Sequence, residues 1–334
     1  MKRIISFILI FTIIIFALIG CNSNSKDNKN DVNNKLKIVT TIFPQYDFVR
    51  EIAGNSVDLT MLIKPGSESH SYEPTPQDII KIQSSDIFIY VGGESDKWVD
   101  KILESMDISN MKIISLLDCV DAVEEEIVEG MEDEHDHDEL ENEEEISEKL
   151  SGHNHHEEIE YDEHVWTSPR NAIKIVEQIK EILVIKDQNN KNIYEANAKG
   201  YVKSLIDLDK LYKEIVSNAS RKTIVFGDRF PFRYFADSYG LKYYAAFPGC
   251  STESEASAST VAFLIDKVKS ESIPVVFHIE LSNEKMADVI CESTGAKKLL
   301  MHSCHNITND DFINGISYLD LMNSNAENLK EALK

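Results

Sequence analysis

Two apolar spacings take turns along most of the chain. Residues 36–42 (L-K-I-V-T-T-I) alternate and are β-branched, which predicts a strand, and 44–53 then reads as a helix ended by Gly54. A second strand is expected at 57–63, a helix with Pro in its first turn at 75–83, a buried strand at 87–91 before Gly92-Gly93, and a helix at 96–106. Ile173, Val176, Ile179 and Leu183 form a helical stripe within 169–185, and 189–217 continues with Ala198, Tyr201, Leu205, Leu208, Leu211, Tyr212 and Ile215. A helix of that length spans a whole domain. Beyond it the alternation resumes: strands at 223–226, 242–246, 275–279 and 298–301, and helices at 232–239, 259–271, 283–293 and 315–333. Strands alternating with helices imply parallel βαβ units. The expected fold class is therefore α/β, two lobes each with a mainly parallel sheet flanked by helices, joined by the long helix. Two such lobes serve binding proteins and enzymes alike, so architecture alone does not decide function.

Both ends of this pattern carry meaning. Met1-Lys2-Arg3 followed by apolar 4–19 has the charged start and hydrophobic middle of a secretory signal. Leu18-Ile19-Gly20-Cys21 resembles the lipobox cut just before its cysteine, so the mature chain is expected to begin at a lipidated Cys21. Its acyl chains would anchor the protein at about 0.8 kcal/mol per buried CH₂. Residues 22–35 have almost nothing to bury and read as a solvated tether. The expected organisation is a signal at 1–20, a tether at 21–35, an N-terminal lobe at 36–188 with an acidic loop at 123–160, a linking helix at 189–219 and a C-terminal lobe at 220–334. The location expected is the extracytoplasmic face of a bacterial membrane.

The formal net charge of −24 argues against nucleic acid as a partner, because phosphates would be repelled. Much of it lies between Glu124 and Glu163, where Lys149 is the sole basic residue. Besides Cys21, the cysteines are Cys119, Cys250, Cys291 and Cys304. Outside the cytoplasm a disulfide can form, and Cys250 and Cys304, both in loops after predicted strands, are the pair the sequence suggests. Buried inert thiols are the other reading.

Five of the ten histidines, His135, His137, His153, His155 and His156, fall in the acidic loop. Imidazole is the natural nitrogen ligand for borderline cations such as Zn²⁺, and the carboxylates around it concentrate cations. A plain solvated loop accounts for the Glu and Asp but not for these histidines. His70 lies in P-G-S-E-S-H-S-Y-E-P-T-P, after a strand and before a helix, at the strand end where α/β folds expose their ligands. His164 lies in Y-D-E-H-V-W-T-S-P, just before a helix expected to be capped by Ser168 with Pro169 in its first turn.

With these residues in view, the chain resembles the substrate-binding proteins of zinc and manganese ABC importers, the cluster A-I or cluster 9 metal receptors. The likeness runs from Leu36 to Leu333 and rests on G-S-x-S-H-S-Y-E-P-T-P around His70, E-H-V-W-T-S-P-R-N-A around His164, and Y-L-D-L-M-N-S-N-A-E-N-L-K-E-A-L at the end. The resemblance implies a rigid linking helix, a metal held between the lobes, delivery to a membrane permease, and no enzymatic activity. The acidic His-rich insert looks like the zinc branch, which favours Zn(II) over Mn(II) as cargo; a monomer is expected.

The family's remaining ligands are less plainly matched. Counting back from Tyr234-Phe235 puts Arg229 where the family has its third ligand, and a guanidinium has no lone pair to give. Asp228 is the nearest oxygen donor and the third candidate, with pairing to Arg229 or Arg233, or capping of the next helix, as its other reading. The fourth position, after Thr294-Gly295-Ala296-Lys297, falls on His302, with His305 and the Cys304 thiolate able to substitute. Glu280 corresponds to a Glu kept near the family's site, read as orienting a ligand histidine or as a direct oxygen ligand. His70, His164, Asp228 and His302 would form an N₃O set suited to tetrahedral zinc. A zinc hydrolase is disfavoured because neither H-E-x-x-H nor G-x-S-x-G occurs. A metal-binding adhesin or buffer is the alternative that the sequence leaves open.

Overall fold

β1 (Leu36–Thr40) lies between β2 (Val57–Met61) and β3 (Ile87–Tyr90), and β4 (Lys112–Ser115) extends the sheet beyond β3, giving the order β2-β1-β3-β4 with every pairing parallel. The computed structural model describes residues 35–67, 72–131, 160–251 and 256–334. Of the sequence expectations, the signal, Cys21, the tether up to residue 34, His70 and the five loop histidines lie outside the described residues. Leu36–Lys334 forms one compact unit.

The crossovers of the first sheet carry α1 (Phe43–Ala53), α2 (Pro76–Gln83) and α3 (Lys97–Glu104). α2 starts where the sequence puts its Pro, held by a reciprocal cap in which Thr75 Oγ1 accepts from the Asp78 amide and the Asp78 carboxylate accepts from Thr75 N–H. A helical pair follows, α4 (Pro169–Lys186) and the 27-residue α5 (Lys191–Ser217), which runs for about 40 Å at 1.5 Å per residue. Ser168 stands before α4, but its hydroxyl bonds to that of Ser238 at 2.8 Å and does not cap the helix as the sequence led one to expect.

The second sheet is again parallel, in the order β10 (Lys297–Leu300), β9 (Val275–His278), β5 (Thr223–Phe226), β7 (Lys242–Tyr244). Beside it β6 (Arg229–Phe230) pairs with β8 (Phe247–Pro248), two short strands that sequence periodicity does not reveal. The helices are α6 (Arg233–Tyr239), α7 (Ala258–Ser270), α8 (Lys285–Thr294), α9 (Asn309–Ile313) and α10 (Tyr318–Ala332). The closing helix expected at 315–333 starts only at Tyr318, because Ser317 caps α10 by exchanging hydrogen bonds with Asp320 and Gly315 turns through a positive φ of 72°.

One hydrophobic core runs through both sheets. Ile38 and Ile89 of the first sheet, Ile224 and Phe277 of the second, and Tyr201, Leu205 and Tyr212 of α5 belong to the same buried cluster. α5 packs on α1, α4 and α10. α10, although last in the chain, is tied to the first lobe: Tyr318 N–H donates to Asp47 Oδ2 at 2.8 Å and Tyr318 O–H to the Trp166 carbonyl at 2.7 Å.

Candidate metal centre

The carboxyl ends of both parallel sheets deliver loops to one small cavity, of about 30 Å³, whose wall includes Ser67, His164, Arg229, Gly249, Glu280 and His305. His164 follows a tight turn in which Asp162 Oδ1 accepts the His164 backbone N–H at 2.8 Å and sits 3.2 Å from His164 Nδ1. A carboxylate accepts, so Nδ1 carries the hydrogen and Nε2 is the nitrogen left with a lone pair for a metal. The ring is fully buried. Burial disfavours its protonation, but the carboxylates of Asp162, Glu163 and Glu125 outweigh that and raise its pKa.

His305 meets His164 edge-on, with ring centroids 5.4 Å apart, and packs against Trp166 at 5.1 Å. Its loop hangs from one carboxylate. Glu280, just past β9, accepts from Ser303 N–H at 2.7 Å, Ser303 Oγ–H at 2.6 Å and His305 N–H at 3.1 Å. Trp166 Nε1–H donates to the Ser303 carbonyl at 2.8 Å, so the two histidine-bearing segments, one from each lobe, are directly bonded. Of the two sequence readings of Glu280, these bonds fit that of a support better than that of a direct ligand.

His302 is placed otherwise. Its Nδ1 accepts the Cys304 amide at 2.9 Å, and its backbone is clasped by Asn325, which accepts from His302 N–H at 2.8 Å and donates to His302 O at 2.7 Å. It does not line the cavity with His164; His305 does. The chain turns between them because Cys304 adopts a positive φ of 63°. Asp228 is also engaged elsewhere, with Oδ1 accepting from Arg229 N–H at 2.9 Å and Oδ2 from Ile279 N–H at 3.2 Å, bridging the ends of β5 and β9. Arg229 itself lines the cavity and donates to the Ser251 carbonyl at 3.2 Å.

The cysteine expectations need correcting. Cys250 and Cys304 are separate free thiols, and no bridge joins them. Cys304 is buried in the main hydrophobic cluster with its sulfur toward the His302 carbonyl, whereas the Cys250 amide is held by Glu125, next to Gly249 of the cavity wall. Burial, with nearby carboxylates, pushes both thiols well above their ordinary pKa.

Asn306 is a contributor that the sequence did not single out. Its side-chain amide donates to the carbonyls of Lys64 at 2.8 Å and Ser67 at 2.7 Å, while Gly66 N–H donates to Ile307 O at 2.7 Å. The segment leading to His70 is thereby fastened to the loop that carries His305. On the far side of His70, Tyr72 O–H donates to Asp78 Oδ2 at 3.0 Å and its ring meets Trp98 edge-on at 5.7 Å. Among the described residues, no three His, Cys, Asp or Glu side chains converge as a metal cluster.

Residues 38–332 match the family described as ZnuA, the periplasmic component A of the zinc-uptake complex. The chain belongs to the ZnuA family. The high-affinity zinc uptake system protein ZnuA of Bacillus subtilis (strain 168) is 33% identical over 312 residues, covering 93% of this chain and 92% of the relative. The zinc-binding lipoprotein AdcA of Streptococcus pneumoniae (strain ATCC BAA-255 / R6) is 33% identical over 314 residues, 94% of this chain but 58% of AdcA. Among solved structures, the Zn(II)-bound ZnuA-like domain of Streptococcus pneumoniae AdcA superposes with a TM-score of 0.69 at 31% identity, covering 90% of this chain and 99% of that one. The metal-dependent lipoprotein YcdH from Bacillus subtilis gives a TM-score of 0.72 at 30% identity, covering 90% and 100%. The family resemblance and the two-sheet α/β class read from the sequence are both borne out.

Proposed function

We propose that this ZnuA-family chain is an extracytoplasmic receptor that captures Zn(II) between its lobes and delivers it to an ABC-type importer, held at the membrane by a lipid on Cys21. The observation that carries the reading is the pairing of His164 with His305 across the cleft, with the Asp162 carboxylate at the His164 ring and the Glu280 carboxylate holding the His305 backbone loop. A carboxylate behind an imidazole, as Asp162 stands behind His164, fixes the tautomer and basicity of a zinc ligand. Relatives named for zinc uptake or zinc binding support the choice of cargo.

The proposed ligands are His164 and His305 with His70 as a third nitrogen, a set that suits zinc better than the oxygen-preferring Mn(II). His302 and Asp228 become supports of the strand ends, and Glu280 the residue that aims His305. His135, His137, His153, His155 and His156 remain candidates for collecting metal at lower affinity.

Elemental analysis with a competitive zinc titration on the mature domain tests this reading. The parent is expected to carry one zinc, and His164→Ala and His305→Ala to lose far more affinity than His302→Ala or Asp228→Ala. A parent that binds no zinc refutes the receptor reading. A larger loss for His302→Ala than for His305→Ala refutes the ligand assignment.

A further inference from the structure

The described start of the acidic segment, residues 123–131, leaves the first lobe as a strap laid on the second. Residues 123–125 and 160–162 form a narrow neck, with Glu125 N–H donating to Glu160 O at 2.9 Å, Asp162 N–H to Val123 O at 3.0 Å, and an antiparallel bridge between Glu124 and Tyr161. From the neck the strap crosses the second sheet's edge. Glu126 accepts from Tyr243 O–H at 2.9 Å and pairs with Arg233 at 2.5 Å, and Glu129 pairs with Lys267 at 3.1 Å. Gly130 lies so close under Phe263 that a Cβ would come within 2.1 Å of the ring.

One contact of the strap reaches the cavity wall. Glu125 Oε1 accepts the Cys250 N–H at 2.9 Å. The neighbouring Gly249 touches the His164 ring: a Cβ there would stand 3.1 Å from Cε1 and Nδ1, and 2.9 Å from the Phe230 carbonyl. The imidazole is therefore flanked by two groups, the Asp162 carboxylate at Nδ1 and the Gly249 backbone, which leaves no room for a Cβ along the Cε1–Nδ1 edge. Only the first belongs to the ring's own segment. The second belongs to the Gly249–Cys250 turn, which the carboxylate of Glu125 holds in place.

Building on the receptor reading above, we infer that Glu125 is a positioning residue of the metal centre: by holding the Cys250 amide it keeps Gly249 against His164, and so slows release of the metal. The hydrogen bond is the agent, not the charge. A glutamine, whose carbonyl oxygen can still accept from the amide, preserves it, whereas alanine removes it and lets the turn lift off the ring. Glu126, one residue on, grips the second lobe without touching residues 249–250, and separates this effect from a general loosening of the strap.

Stopped-flow displacement of Zn²⁺ by an excess of strong chelator tests this on the mature domain. Glu125→Ala is expected to release zinc about tenfold faster, in line with the loss of one partner behind a metal ligand. Glu125→Gln and Glu126→Ala should stay within about twofold of the parent. In the metal-free protein the Cys250 amide should exchange with solvent faster in Glu125→Ala than in the parent, while the urea midpoint moves little. Parent-like release by Glu125→Ala overturns the inference, as does equal acceleration by Glu125→Gln or Glu126→Ala. If Glu125→Ala fails to fold, Glu125→Asp, shorter by one methylene and still charged, must show the acceleration for the inference to stand. The exchange measurement needs no metal, so it still decides the role of Glu125 if the parent proves not to bind zinc.

Discussion

Removing the Glu280 carboxylate is the sharpest probe of how the second lobe builds its half of the centre. The side chain receives three hydrogen bonds from two residues of one loop, Ser303 N–H, Ser303 Oγ–H and His305 N–H, at 2.7, 2.6 and 3.1 Å. Bonds to an ionised acceptor each contribute about 1.5–3 kcal/mol. They share one acceptor and one loop, so they do not add; a loss of about 3 kcal/mol in the metal-free protein is the expectation for Glu280→Ala. Zinc affinity should fall further than the fold does, by about ten- to a hundredfold, because the freed loop carries His305. Glu280→Gln keeps an acceptor on one side but turns an NH₂ toward the donors on the other, and should fall between the two. Urea unfolding followed by circular dichroism gives the first quantity, and competition with a chromophoric chelator the second. A double-mutant cycle with Ser303→Ala, which deletes the 2.6 Å bond and the 3.2 Å bond that Ser303 Oγ accepts from His305 N–H, should return a coupling of about 1–2 kcal/mol. Were Glu280→Ala to unfold at the parent's urea midpoint and bind zinc as the parent does, the loop would be held by something else and the account of this half-site would be wrong.

Other consequences can be measured on the same protein. Asp162→Asn keeps an oxygen for the His164 amide but removes the charge at Nδ1; zinc affinity should drop by about tenfold, and the His164 pKa, read by NMR in the metal-free protein, should fall. Gly249→Ala forces a Cβ to 2.9 Å from the Phe230 carbonyl and should cost about 1–3 kcal/mol by urea unfolding, with weaker zinc binding. Burial raises the Glu163 carboxyl to about 7 and that of Asp96 to about 6. The native state therefore binds more protons than the unfolded chain between about pH 4 and 7, so this stability is complete below the unfolded values and is lost as pH rises through 6 and 7. The metal-free protein should unfold at lower urea at pH 7.5 than at pH 5.5, and Glu163→Gln should flatten that slope. A slope of opposite sign would show that these carboxyls are already ionised in the fold.

Much of the fold was legible because its signals are periodic. The α5 stripe Tyr194, Ala198, Tyr201, Leu205, Leu208 and Tyr212 keeps one buried face for most of the helix, and the β1 and β9 runs are too apolar for anything but a covered strand. β4 was missed because K-I-I-S is four residues long and buries fully only its last two. β6 and β8, at two residues each, are beneath any periodicity. The site divides similarly. His164 drew notice through its motif E-H-V-W-T-S-P-R-N-A and its place before a helix, both local patterns; that Asp162 meets its ring came only from the structure. The choice between His302 and His305 was not legible, because it turns on the left-handed backbone of Cys304, a conformation that a non-glycine residue rarely takes and that no local pattern announces. Asp228 was the plausible oxygen by position, but while one partner, the Arg229 amide, is its neighbour in sequence, the other, the amide of Ile279, appears only once β5 and β9 are side by side.

The core that runs unbroken from one sheet to the other has a mechanical consequence. Domains that swing about a hinge meet through modest, rather polar interfaces, and here Tyr201, Tyr212, Tyr318 and Met322 seal the junction with hydrocarbon instead. Opening the lobes like a shell would expose that seal to water at about 25 cal/mol for each Å². If the proposed receptor reading holds, its permease would meet a nearly rigid body, and the difference between loaded and empty forms would lie in the loops at the sheet ends, around residues 249–250 and 303–306, rather than in the angle between two halves.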